Sequence, residues 1–200
     1  YTLGKASARI PGWDYSQIPY IDAWGRTEST GESWERALNN FLNPAYMSQI
    51  AESPMEKELL RLYNVTGESV LPNRASKDIN VSGEKITLSA DTYVKYATNR
   101  GQGSYKRLTA LTNDAEYKKL NDAQKADCVD YIYKMSDQLA KSSVSKYEPD
   151  SWVTKAEKAE KMGISATDFV VAKAKTSGLE GLMDKDGNTI KNSKGLLVME

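Results

Sequence analysis

From Ser89 to Gly178 the apolar residues return every three or four positions, and no other feature constrains the fold as strongly. That period belongs to helices with one buried face. The longest run starts at Asn121, an N-cap residue with Gln124 three positions on, and continues through Val129, Ile132, Tyr133, Ser136, Leu139, Ala140 and Val144. Cys128 sits beside that stripe, and Asp127, Asp130, Lys134, Asp137 and Lys141 make the side predicted to face water. An earlier helix begins after Ser89 and carries Tyr93, Tyr96 and Ala97, then meets Arg100-Gly101-Gln102-Gly103 before Leu108 and Leu111 restore its stripe. Two glycines inside a helix cost about 2 kcal/mol of propensity. Either the helix kinks or breaks at Gly101, or it continues and its glycines admit another backbone at close range.

The remaining helices follow from their punctuation. Asn113 or Asp114 can cap a short helix holding Tyr117 and Leu120. Ser151 and Trp152 open a helix through Lys161 that ends at Gly163. Ser165-Ala166-Thr167-Asp168 reads as a capping box, ahead of a face made by Phe169, Val170, Ala172 and Ala174. Upstream, Ser53-Pro54-Met55-Glu56 is the clearest start signal in the chain, with Ser53 at N-cap, Pro54 at N1 and Glu56 at N3. Met55, Leu59, Leu62 and Tyr63 then form the buried face, and Gly67 ends the turn. Ser33 to Phe41 reads as a short helix stopped by Asn43-Pro44. Between these helical blocks the period changes to two. Ile79-Asn80-Val81, Ser82-Gly83 and Lys85-Ile86-Thr87-Leu88 read as a hairpin, which must pack on the helices because two strands do not stand alone.

The expected fold class is therefore mainly α, a helical bundle-like module with one small β-hairpin and an extended N-terminal arm. The expected organisation is an aromatic-rich arm over 1–32, a helical domain over 33–177 with the hairpin near 79–88, and a turn-rich tail over 178–200. The chain opens on Tyr1 with neither initiator Met nor signal-like segment, and closes on Leu196-Leu197-Val198-Met199-Glu200. Both ends are those expected of a segment of a longer protein or, alternatively, of a mature protein that has lost a short leader.

Composition narrows the chemistry. The 200 residues contain no histidine and one cysteine, with 27 basic against 27 acidic side chains. Histidine-based triads, His-containing metal sites and an internal disulfide are all excluded. Balanced charge gives no bulk attraction to nucleic acid, and no apolar run is long enough for a membrane span. Lys155, Lys158 and Lys161 form a cationic edge, but acids interleave them as on a solvated helix surface. Asp184-Lys185-Asp186-Gly187 resembles a calcium loop until Gly187 is set at position six; Leu182 and Ser193 then occupy the first and last ligand positions, so it reads as a turn. Gly101-Gln102-Gly103-Ser104 follows a helix and lacks the GK[ST] of a phosphate loop. Cys128 has acids nearby and nothing to lower its pKa, which makes it a structural thiol. Paired carboxylates could still hydrolyse a glycosidic bond, but Glu56, Glu58 and Asp91 are each in capping or first-turn positions. No catalytic, cofactor-binding or metal-binding residue is assigned.

Twelve Tyr and four Trp stand against two Phe, a balance suited either to partly wet, shared surfaces or to a thin core in which Tyr replaces Phe. Residues 1–32 lack any period yet hold Trp13, Tyr15, Ile18, Tyr20, Ile21 and Trp24 between glycines and prolines. Leaving so much apolar surface in water is unfavourable, so the arm is expected to lie on the domain or on a neighbour. Trp13, Tyr15, Tyr20 and Trp24 are the expected partner-contact residues.

Ordered along the chain, Pro19-Tyr20-Ile21-Asp22-Ala23-Trp24-Gly25-Arg26, Phe41-Leu42-Asn43-Pro44-Ala45-Tyr46 and Glu58-Leu59-Leu60-Arg61-Leu62-Tyr63 resemble segments of very large tailed-bacteriophage and prophage virion proteins of the polyvalent or tape-measure-like kind. Leu88-Ser89-Ala90-Asp91-Thr92-Tyr93-Val94-Lys95-Tyr96 with Gly101 and Tyr105, Tyr117-Lys118-Lys119-Leu120, and Asp184 to Ile190 fit the same pattern. The chain departs from it after Ser193-Lys194-Gly195, where family members run on into further helices. The resemblance implies a non-enzymatic structural component of the particle, in the tail or ejected from the capsid interior and present in the host cytoplasm during assembly. Its implied partners are other virion proteins, including copies of itself. No catalytic residue carries over. A carboxylate-dependent peptidoglycan hydrolase fragment and a small phage-encoded host-directed binding protein are the rival expectations.

Overall fold

The computed structural model describes residues 21–27, 53–67 and 70–176. Among them the fold is mainly α, as expected: six helices and one two-stranded antiparallel hairpin. The elements run α1 (Pro54–Thr66), β1 (Asp78–Val81), β2 (Glu84–Thr87), α2 (Ala90–Asn113), α3 (Ala115–Lys118), α4 (Asp122–Ser142), α5 (Ser151–Lys161) and α6 (Ala166–Thr176). The expected helix at 33–41 and the tail over 178–200 lie outside the described residues.

Helix α1 begins as its sequence dictates. Ser53 Oγ accepts from the Glu56 amide at 3.2 Å, Glu56 Oε2 accepts from the Ser53 amide at 3.0 Å, and Gly67 closes the helix at φ 69°. The hairpin pairs Ile79 with Ile86 and Val81 with Glu84. Ser82 and Gly83 both take positive φ, 53° and 90°, the requirement of a two-residue turn whose twist matches the strands. Ile79 and Val81 face inward, so the ribbon rests on α2 beside Tyr93 and Tyr96.

Helix α4 is central and packs against α1, α2, α5 and α6. That position widens its buried stripe beyond the expected one. Ala126, Cys128 and Met135 are buried with Val129, Ile132, Ser136 and Ala140, because neighbours cover more than one side. Helix α6 also departs in detail. Ser165 Oγ accepts from Thr167 N at 3.2 Å and donates to Thr167 Oγ1 at 2.8 Å, one residue short of a capping box. Asp168 is one methylene shorter than the Glu or Gln that closes such a box. The inward face of α6 is Val170, Val171 and Ala174; Ala172 is exposed.

Three buried clusters result. One joins α1, α4, α6 and the second half of α2. Another joins the hairpin to the first half of α2 and Ala140 of α4. The third lies between α4 and the α5–α6 pair, around Met135, Val153, Ala156 and Ala166.

Candidate functional site

Of the expected partner-contact residues, Trp13, Tyr15 and Tyr20 lie outside the described residues, and Trp24 does not face outward. Its side chain is core, 2% exposed, among Met55, Leu59, Leu108 and the rest of the first cluster. The arm expected over 1–32 therefore contributes part of the domain interior over residues 21–25, all of them buried. The physical reason is that an indole with a buried acceptor for its N–H loses nothing by leaving water.

That acceptor is Glu56. Trp24 Nε1 donates to Glu56 Oε1 at 3.0 Å, while the other carboxylate oxygen closes the cap of α1. One glutamate thus ties the turn to the start of a helix. The turn also holds its own shape. Asp22 Oδ1 accepts from the amides of Trp24 (3.0 Å) and Arg26 (2.8 Å), and Asp22 O accepts from Gly25 N at 3.0 Å. The Asp22 amide donates to Arg26 O at 3.0 Å, and Arg26 Nε donates to Asp22 Oδ2 at 2.7 Å.

Gly25 and Gly101 explain each other. Helix α2 runs unbroken through Gly101, so of the two sequence readings the structure adopts the continuous helix that admits another backbone. A Cβ on Gly101 would overlap Trp24 C and Gly25 N and stand 2.7 Å from Gly25 Cα. In return, a Cβ on Gly25, whose φ is 77°, would stand 2.6 Å from Thr98 O. Tyr105, one turn further along α2, meets the Trp24 ring edge-on with centroids 5.4 Å apart. Ile21 meanwhile enters the hairpin cluster, so the turn bridges two parts of the core.

A second polar constellation was not legible in the sequence. Asp137, assigned to the solvated side of α4, instead accepts from Tyr96 OH at 2.5 Å and pairs with Arg100 (3.2 Å) and Lys141 (2.8 Å). Arg100 then reaches Asn73 O and Oδ1, fixing the loop before the hairpin. Arg107 makes a two-pronged pair with Glu160 at 2.9 and 2.7 Å, joining α2 to α5. Beside it lies a cavity of about 230 Å³ lined by Lys106, Ala110, Ile164 and Thr167, among others.

Four of the described tyrosines settle into or against the core, while Tyr105 is 36% exposed. Tyr93, Tyr96 and Tyr117 are buried, and Tyr133 is half-buried against the first cluster. Their hydroxyls bond Ala75 O, Asp137, Glu58 and Val70 O respectively. Phe would fill the same space but could not fasten the loops at Val70 and Ala75 or bond Glu58 and Asp137. Burial raises the pKa of Tyr96, Tyr117 and Tyr133, so each remains a neutral donor.

Each shifted ionisable group answers to burial or to a neighbouring donor. Burial pushes the Cys128 thiol up to about 12, and its Sγ lies 3.7 Å from Val170 O. Hydrogen bonds from Lys119 and then Lys175 hold Glu116 down at about 2. Asp78 is lowered by Thr87 and Lys85, and Asp122 by Arg61. Among the described residues no cluster of three or more His, Cys, Asp or Glu could hold a metal ion, and no helix is long and apolar enough to cross a membrane.

Fold and site together define a mainly α module keyed by a tryptophan–glycine turn seated on a helical glycine. No protein-family model, curated protein or solved structure matches the chain.

Proposed function

We propose that this chain is a non-enzymatic structural component of a bacteriophage particle, in the tail or among the proteins ejected from the capsid, acting through protein–protein assembly contacts. Its partners on this reading are other virion proteins, copies of itself included. One observation carries the reading. Among the described residues, several that bear the resemblance to large virion proteins come from three separate segments and pack in one place. Trp24 and Gly25 of the turn, Leu59 and Leu62 of α1, and Gly101 and Tyr105 of α2 surround a single junction. That these residues build a packing junction rather than line a cleft supports a structural over an enzymatic role.

Among the described residues, carboxyl chemistry gives the hydrolase reading no support. A glycosidase acid needs a raised pKa, whereas the displaced carboxyl groups here, Asp78, Glu116 and Asp122, are all held as anions by neighbouring donors.

The test is mass spectrometry of particles purified from the native source on a density gradient. Tryptic peptides 108–118 and 126–134 should co-sediment with intact particles at a fixed ratio to the major capsid protein. Their recovery only from the soluble fractions at the top of the gradient would overturn the proposal.

A further inference from the structure

The hairpin leaves the backbone of one edge open. Leu88 N donates to Lys77 O at 2.9 Å, so the hydrogen-bonded pairs of the ladder are Lys77 with Leu88, Ile79 with Ile86 and Val81 with Glu84. By the alternation of antiparallel strands, the amides and carbonyls of Lys85 and Thr87 then point away from β1. Among the described residues these groups have no hydrogen-bond partner, and β2 is exposed along its whole length. The β1 edge differs, because Ser76 Oγ accepts from the Asp78 amide at 3.1 Å. Ile79 and Ile86 share the face turned to the helices, yet Ile79 is 4% exposed and Ile86 36%. The body therefore covers that face under β1 and leaves it bare under β2. A lysine on an edge strand normally repels an added strand. Here Lys85 Nζ is drawn back across the ribbon to Asp78 Oδ2 at 3.1 Å.

We infer that the outer edge of β2 is a strand-addition site for β2 of a second copy of this chain, paired antiparallel about a two-fold axis through Ile86. This deepens the assembly reading and rests on it for the meeting of copies, naming the surface through which they touch. The edge is complementary to itself in one register. Centring the pair on Lys85 would set two ammonium groups directly opposite each other, which destabilises a ladder. Centring it on Thr87 would set Lys85 opposite Ser89, the N-cap of α2, where the chain has left the strand. Centring it on Ile86 sets Lys85 opposite Thr87 of the second copy, so each open amide meets an open carbonyl. In that register Lys85 also faces the side of the other ribbon where Thr87 Oγ1 donates to the Asp78 carboxylate at 2.6 Å. On the helix-facing side, the row Ile79–Ile86 continues into Ile86 and Ile79 of the second copy and covers the bare isoleucine. Such a contact is isologous and closes on itself. A strand of this length cannot bury the roughly 1,000 Å² that a stable interface needs, so the pairing is weak, with Kd about 0.1–1 mM. That is enough between copies held at high local concentration in a particle.

The experiment uses the full chain. Sedimentation equilibrium from about 10 µM to about 2 mM should show a reversible dimer with Kd about 0.1–1 mM. Ile86→Lys and Ile86→Glu, at an exposed position that leaves the core intact, should each weaken dimerisation at least about tenfold. An equimolar mixture of those two variants should associate at least about tenfold more tightly than either alone, because opposite charges then meet on the axis. Ile86→Cys should oxidise to a dimer linked through that position, since facing residues of a non-hydrogen-bonded pair lie within disulfide reach. Coupling should run at least about tenfold faster than for Val65→Cys, exposed on α1, and the buried Cys128 does not compete. A wild-type chain that stays monomeric up to about 2 mM, or Ile86→Cys that couples no faster than Val65→Cys, would overturn the inference. So would protection of the Lys85 and Thr87 amides from hydrogen exchange that does not depend on concentration, because another strand of the same chain would then fill the edge. A monomeric chain that still co-sediments with particles would keep the assembly reading and lose only this contact. A chain that dimerises through Ile86 but stays in the soluble fractions would keep the contact and lose the particle.

Discussion

Replacing Gly101 with Ala asks two opposite things of the same atom. In an open helix position the change stabilises by about 1 kcal/mol, the propensity difference between the two residues. Here the new Cβ would overlap the Trp24–Gly25 backbone, which cannot rotate aside as a flexible side chain can. The turn must lift. Expelling it altogether forfeits the burial of Trp24, worth about 3–5 kcal/mol by analogy with Trp→Ala in cores. Subtracting the propensity gain leaves about 2–4 kcal/mol, and partial lifting puts the expected loss near the lower end, about 2 kcal/mol. For a domain of this size the melting temperature should fall by about 4–8 °C. Gly103 is the internal control, because a Cβ there meets Arg107 Nη1 at 2.9 Å, the far end of a side chain that can shift. Gly103→Ala should be neutral or stabilise by up to about 1 kcal/mol. Urea unfolding followed by circular dichroism and by tryptophan fluorescence measures both. If Gly101→Ala stabilises as much as Gly103→Ala, the close approach of turn and helix is wrong.

Trp24→Ala should destabilise by about 3–5 kcal/mol, and Trp24→Phe by less, because one six-membered ring remains while the rest of the indole and its hydrogen bond to Glu56 are lost; chemical denaturation ranks the two. Arg107→Ala should cost about 1–2 kcal/mol by removing a half-buried two-pronged pair, and a double-mutant cycle with Glu160→Gln should show coupling of about 1 kcal/mol. The Cys128 thiol should react with a disulfide reagent at pH 8 at least about 100-fold more slowly in the native chain than in denaturant, since it is buried and its pKa is about 12. Glu116 has a folded pKa depressed to about 2, so its contribution is complete above its unfolded value and is lost as pH falls through the folded one. Melting temperature should decline between about pH 4.5 and pH 2, and Glu116→Gln should flatten part of that decline.

Local signals are legible where one residue type has one physical use. Ser53-Pro54-Met55-Glu56 set the start of α1, and Ser82-Gly83 placed the hairpin turn, because caps and tight turns are decided within four residues. Contacts between remote segments were not readable in that way. Trp24 looks like a contact residue until Glu56 is known to await its N–H, and nothing in a spacing of 32 residues announces that bond. Asp137 looks solvated on a helical wheel, because the wheel does not show that α2 brings Tyr96 and Arg100 to that side. Gly101 was the exception. A glycine in mid-helix already posed the choice between a break and a close approach, and only the identity of the approaching backbone was missing. Met135 lies off the periodic stripe because a helix packed on several sides has no single face for a period to reveal.

The claim on which the rest depends is that Ile21–Arg26 belongs to the folded core. Amide hydrogen exchange measures this directly, since the amides of Asp22, Trp24, Gly25 and Arg26 are all hydrogen-bonded within the turn. A peptide covering residues 21–27 should exchange slowly, with protection approaching that of α4, and Gly101→Ala should abolish that protection while α4 loses only the roughly 30-fold that about 2 kcal/mol entails. Exchange of those amides in the wild-type chain at the rate of an unstructured peptide would contradict the account.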